Sequence, residues 1–404
     1  MIFSCHRKCM HIFIGAEKMN KPSSIGRTHD FQSLSPGIFR ASTIVFDSYE
    51  DFVARKSRQP DGFSYGVTGT PTHRELEGRI AALEGANHCV VLPSGQAALV
   101  SAILPFVNSG DHILISDACY GGLKAFACDW LARLGVDIDV YPANVGKEIA
   151  SYILPSTRMI CLESPGTISM EMPDVPEIVA EAKRRGILTM IDNTWASPLG
   201  FRPMQHGVDL SIEAATKFFG GHSDLLMGSI STNDFKLYEK LRESQAVMGF
   251  AVSSDDCFLV LRGLETFALR FAEQSKSALE VANWLRSHPI IDRVLFAALP
   301  DDPGHAIWKR DFTASGCLFS FVLKPAPDRA IAAFFNALKV FSIGASWGGT
   351  HSLIAYYPAS IQKARRFAPS DQPIFRLSIG LENTQRLIAD LDQGLAQYSA
   401  HQAL

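Results

Sequence analysis

Seven apolar runs of strand length, near residues 88–92, 112–115, 137–141, 158–162, 187–192, 209–213 and 226–230, are interleaved with helical patterns near 95–106, 120–134, 176–185 and 234–246. This alternation predicts an α/β fold: a mainly parallel sheet of seven strands, covered on both faces by helices. The first helix is expected where Thr72 and Glu75 have the spacing of a capping box and Leu76, Ile80 and Leu83 form an apolar stripe that ends at Gly85. A long helical pattern over 256–287, closed by Pro289, sets the domain boundary: a large domain over 71–263 and a smaller α+β domain over 264–404. In the small domain, strands are expected at 317–323, 339–343 and 374–379, with helices at 328–338 and from about 383.

A chain of 404 residues, 47% hydrophobic and 20% charged, has the material for a large core and two domains of a soluble protein. Its net charge of -3 and lack of a basic block exclude the electrostatic footprint of a nucleic-acid binder. Eight cysteines without regular spacing fit reduced thiols, hence a cytoplasmic protein, better than a disulfide framework.

Residues 1–20 are expected to form a disordered extension, because the apolar stretch His11 to Ala16 is too short for a signal peptide or a membrane span. Met1, Met10 and Met19 are alternative starts, and Cys5, His6, Cys9 and His11 match no closed zinc pattern, so no metal is expected. The segment 21–70 is polar and punctuated by Pro36, Gly37, Pro60, Gly62, Gly66 and Gly69. Such a segment cannot bury itself and is read as an arm lying on a neighbouring subunit.

The chemistry centres on Asp209 to Ser223, where Lys217 ends an apolar run and precedes two aromatics and two glycines. A buried amine there would be pushed toward its neutral, nucleophilic form, as a Schiff-base lysine requires; the competing reading is a strand-end lysine that reaches water. Pro93 to Ala97 lies where a strand gives way to a helix, so its free N–H groups suit a phosphate, with Gly95 allowing close approach, or serve an ordinary turn. Tyr120 suits stacking on an aromatic ring or simple packing. Asp192, ending a buried strand, suits either a cationic partner or a cap on the segment at Asn193-Thr194. Together these supply what pyridoxal 5'-phosphate needs: a held phosphate, a stacked ring, a paired ring nitrogen and an amine for its aldehyde.

The Lys217 block, with Tyr65-Gly66-x-x-Gly69-Thr70-x-Thr72, Leu162 to Gly166, Ile191 to Trp195 and Ser346 to Gly349, resembles the Cys/Met-metabolism group of fold-type I pyridoxal-phosphate enzymes. The chain is most similar, within that group, to cystathionine β-lyases. The resemblance spans about residue 25 to the C-terminus. It implies pyridoxal 5'-phosphate held by Lys217, with Asp192 on the ring nitrogen, Tyr120 on the ring, and Gly95, Gln96 and Thr216 on the phosphate. It further implies Arg376 on the substrate α-carboxylate, Ser346 and Trp347 lining the pocket, and Tyr65 reaching the neighbouring subunit's site in a homo-oligomer, a tetramer by expectation. Read from its position alone, Arg376 is equally compatible with an edge-strand arginine in a surface ion pair. Departures from the β-lyase pattern are Val67 where relatives carry Arg, Thr68 where a basic residue is common, Ala345 for Tyr, and Thr350-His351 for an aromatic-Glu pair. If Val67 removes a phosphate cation, Arg74 is the residue placed to replace it. The function implied is α,β-elimination of cystathionine or an S-substituted cysteine in methionine biosynthesis. The alternatives are γ-elimination on a neutral or cationic tail and, remotely, an inactive cofactor-binding regulator.

Overall fold

The computed structural model describes residues 33–402, so the extension over 1–20, with Cys5, His6, Cys9 and His11, lies outside the described residues. Strands β1 (His88–Leu92), β2 (His112–Ser116), β3 (Asp137–Tyr141), β4 (Thr157–Glu163), β5 (Leu188–Asp192), β6 (Leu210–Glu213) and β7 (Gly228–Thr232) form one sheet in the order β1-β7-β6-β5-β4-β2-β3. The five strands from β6 to β3 are parallel, and β7 runs antiparallel to both β1 and β6. The period-2 pleat sends alternate side chains to opposite layers. Val90, Leu92, Ile113 and Ile115 join one core, while Cys89, Val91, Leu114 and Leu162 join the other.

Helices of seven or more residues are α1 (Pro71–Glu84), α2 (Gly95–Ile103), α3 (Val175–Arg184), α4 (Phe235–Met248), α5 (Ser254–Ser287), α6 (His305–Asp311), α7 (Asp328–Ala337) and α8 (Thr384–Ala400). The N-cap of α1 lies two residues before the expected one. Thr70 is the N-cap and His73 its reciprocal partner, with Pro71 in the first turn, whose N–H would have no partner in any case. Thr72 serves another purpose: its hydroxyl donates to Gly37 O and accepts from Phe39 N–H, both at 2.9 Å, and so fastens the arm. The expected helix over 120–134 is broken into a short α segment, a π turn and a 3-10 turn.

A second sheet has the order β10-β11-β12-β9-β8, made of β8 (Ile291–Leu295), β9 (Leu318–Leu323), β10 (Ser342–Ile343), β11 (Leu353–Tyr357) and β12 (Ile374–Ser378). β8 and β11 carry no signal that the sequence reading caught, and the expected strand at 339–343 shrinks to two residues. Asp390 of α8 takes the N–H groups of Lys339, Val340 and Phe341, which removes them from any ladder. α5 runs unbroken past residue 263, so a boundary there falls inside a helix. The second sheet packs into the core of the first through Phe296, Phe319 and Trp195, whose indole N–H donates to Leu318 O at 2.7 Å.

The described part of the arm is tied down by Arg40, which forks onto Asp255 at 2.6 and 2.8 Å, and by Ser254 on Phe39 O. Its short helix Tyr49–Val53 buries no residue, and Val45 and Tyr49 stand 90% and 75% exposed. Among the described residues no helix is long and apolar enough to cross a membrane.

Candidate active site

Ligands of parallel α/β sheets gather beyond the carboxyl ends of the strands, and the chemistry-bearing residues of this chain do so. Ser94 follows β1, Glu163 ends β4, Asp192 ends β5, and Lys217 lies four residues beyond the end of β6. β4 and β5 are in register with Glu163 beside Asp192.

The Lys217 amine donates to Ser346 Oγ at 3.0 Å and lies 5.3 Å from the centre of the Trp347 ring. Burial, helped by the nearby Arg376 guanidinium, pulls its pKa down to about 8, while Asp192 and Cys317 act in the opposite direction. The lysine is half-buried rather than fully solvated. Gly348 packs on the lysine's own backbone: its φ is +81°, and a Cβ there would stand 3.1 Å from Lys217 Cβ.

Asp192 caps the segment that follows it. Its Oδ1 accepts Thr194 N–H at 3.1 Å and Thr194 Oγ–H at 2.5 Å, while among the described residues no hydrogen bond reaches Oδ2. Burial raises its pKa against the pull of Thr194 and Lys217. A cation placed on the open oxygen would repay that cost.

Arg376 is not an edge-strand residue, for β12 lies between β11 and β9. It is 5% exposed, donates to Thr167 O and Ala345 O at 3.0 Å each, and stacks 5.0 Å from the Tyr357 ring centre. No ion pair joins it to a carboxylate among the described residues, so a buried cation is left waiting for an anion. Tyr120 is anchored by its N–H on Glu163 Oε2 at 2.6 Å, with its ring 46% exposed.

At the start of α2 the N–H of Ala97 turns back to Ser94 Oγ and that of Ala98 to Ser94 O, whereas those of Gly95 and Gln96 take no acceptor in the described chain. A Cβ on Gly95 would meet Ala214 Cβ at 2.8 Å, so this turn can approach the lysine segment only without a side chain. Gln96 donates to Gly122 O at 3.1 Å, and its Oε1 is buried without a partner. Thr216 differs from expectation. Its hydroxyl donates to Met227 O at 3.1 Å and accepts Met227 N–H at 2.9 Å, so its proton is already committed inside the chain.

Arg74 is likewise committed, to Glu77, Thr68 O and Asp61 O, and is not a free replacement for the arginine absent at Val67. Thr68 is buried with its hydroxyl on Tyr65 O. Tyr65 stands on the surface, 55% exposed.

The sequence reading gave Thr194 and Glu163 no part in the site, although both lie in the quoted motifs. Glu163 is brought there by strand register, which pairs residues distant in the chain, and Thr194 by a local turn back to Asp192.

The sequence from 23 to 396 matches the Cys/Met metabolism PLP-dependent enzyme family. The chain belongs to that family. Members similar to it include the cystathionine β-lyase MetC of Escherichia coli (strain K12), 41% identical over 89% of this chain and 93% of that protein. The cystathionine β-lyase of Salmonella typhimurium is 39% identical over 90% of this chain and 94% of its own length. A cystathionine γ-synthase structure from Xanthomonas oryzae pv. oryzae superposes with a TM-score of 0.86 at 28% identity, covering 96% of this chain and 99% of that one.

The residues present fit the family's pyridoxal 5'-phosphate: an amine of lowered pKa, a carboxylate with one open oxygen, and two free N–H groups at a helix start. When bound, the cofactor supplies an aldehyde that condenses with amines and a ring that accepts electrons from the carbon being deprotonated.

Proposed function

We propose that this member of the family is a carbon–sulfur lyase that eliminates the thiol from Cβ of an L-amino acid, with cystathionine as substrate. Cystathionine and water give homocysteine, pyruvate and ammonia. One observation carries the amino-acid part: the buried, carboxylate-free Arg376, whose planar fork matches an α-carboxylate.

In this reading Lys217 holds the cofactor and, once displaced by the substrate amine, takes the proton from Cα with its Nζ. A pKa near the working pH lets the same amine give a proton back. Asp192 Oδ2 pairs with the ring nitrogen, Tyr120 stacks on the ring, and Gly95 and Gln96 N–H groups hold the phosphate. Thr216 supports that end by fixing Met227 rather than by lending its proton. Ser346 and Trp347 line the substrate side of the amine, and Tyr65 completes the site of a neighbouring subunit. The exposed apolar arm supports a homo-oligomer, with a tetramer and a cytoplasmic setting as further parts of the reading. The β-lyases among the relatives favour β-elimination.

The test is incubation of the cofactor-loaded protein with L-cystathionine, with the products identified by mass spectrometry. Pyruvate with homocysteine is expected. 2-Oxobutyrate with cysteine would replace β- by γ-elimination, and no turnover by fully loaded protein would remove cystathionine as substrate.

A further inference from the structure

Two buried carboxyl groups meet behind Asp192. Glu84, the last residue of α1, is 0% exposed and Glu213, the last of β6, is 3% exposed. Glu84 Oε2 accepts from Ser211 Oγ at 3.1 Å, and Ser211 points from the same face of β6 as Glu213, two residues on. Glu213 Oε1 accepts from Asn193 Nδ2 at 3.0 Å, and Asn193 is the residue that follows Asp192. Glu84 Oε1 is buried with no donor from the rest of the chain. Glu84 and Glu213 act on each other in a buried site where charging both is costly, which favours a proton held between them.

We propose that Glu84 and Glu213 are a proton-sharing carboxyl pair that positions charge for Asp192: protonated, it adds no charge to that of Asp192, and on losing a proton it adds a negative charge behind it.

The surroundings agree. Burial pushes both groups up, Glu84 to about 7, and the pair titrates as a unit. The groups facing it are Ser211 and Asp192 from the strand ends, Asn193, Arg202 acting on Glu84 through space, and the Cys89 thiol on β1. Neither glutamate forms an ion pair with a lysine, arginine or histidine among the described residues.

The inference rests on Asp192 as partner of the ring nitrogen, not on the identity of the leaving group. Two readouts test it with Glu213→Gln, which keeps the volume and an acceptor for Asn193. In cofactor-free protein, infrared difference spectra from pH 6 upward are expected to show a protonated-carboxyl band that the wild type loses near pH 7 and that E213Q, where Glu84 titrates alone, loses only at higher pH. In loaded protein, the cofactor absorption spectra of wild type and E213Q are expected to coincide at pH 6 and diverge above pH 8. A band with the same midpoint in both proteins would overturn the shared proton. Spectra that coincide throughout, or already differ at pH 6, would overturn the positioning role. If E213Q does not fold, Glu84→Gln is read in the same way. Only the second readout depends on the cofactor assignment, so failure of that assignment leaves the infrared result standing.

Discussion

Lys217 Nζ donates to Ser346 Oγ at 3.0 Å across 129 residues of sequence, joining the loop after β6 of the first sheet to the loop after β10 of the second. The reactive amine is thus held between the two halves of the molecule. Any relative movement of the sheets would change its position.

Removal of the amine is the sharpest test of the site. Lys217→Ala is expected to lower kcat by at least about 10³-fold, the loss typical of a central acid–base group. Cofactor and protein should then separate on denaturation, with no cofactor mass retained after reduction.

The hydrogen bond to Ser346 favours the charged form of the amine. Ser346→Ala is therefore expected to move the Lys217 midpoint below its value of about 8, by roughly half a unit to one unit for a bond worth about 1 kcal/mol. The rate at which cofactor-free protein captures pyridoxal 5'-phosphate, followed against pH, gives this directly. In the wild type that rate should rise through pH 8 as the amine becomes neutral, well below the range of an exposed lysine.

Arg376 is held by two carbonyls in a plane that a lysine cannot reproduce. Arg376→Lys and Arg376→Ala are both expected to cut kcat/KM by roughly 30-fold to 1,000-fold or more, the effect of about 2–5 kcal/mol for a lost buried charge pair. The loss should appear mainly in KM for the amino acid, while cofactor binding is unchanged. Steady-state kinetics with separate cofactor titration distinguishes the two.

Stability should depend on a buried pair far from this chemistry. Glu77 takes both guanidinium nitrogens of Arg242, one from Nη1 at 2.7 Å, together with Arg74 at 2.7 Å and Val91 N–H at 3.2 Å. Burial alone would raise its pKa, but the two arginines outweigh burial and hold it at about 2. Its contribution is present above the ordinary carboxylate range and is lost as pH falls toward 2. Glu77→Ala is expected to cost about 3–5 kcal/mol, because it leaves Arg242 buried without its partner. Chemical denaturation at pH 7 measures this.

Where strands hold an unbroken apolar run, as in β1 at 89–92, β2 at 113–115 and β4 at 159–162, they are legible within a residue or two. β8 and β11 are not, because Asp292 and Arg293 break the apolar run of one and the other follows a glycine-rich loop without a turn signal. Among the candidate site residues, Lys217 and Asp192 stand out because a charge at the end of an apolar run is costly anywhere, whereas Arg376, in the middle of its strand, is assigned only through the family resemblance. Thr216 is less legible, because a hydroxyl has no such cost and can turn either way; here it bonds the Met227 backbone.

By itself the sequence determined the alternation that makes a covered parallel sheet, the lysine that sits at its edge, and the family to which both belong. Tertiary structure alone decided which charges were left without partners. Register put Glu163 beside Asp192, packing placed Glu84 against Glu213, and the second sheet brought Arg376 near Lys217 with no carboxylate in ion-pair contact among the described residues. Electrostatic energies depend on distance and burial, and neither is local in the chain.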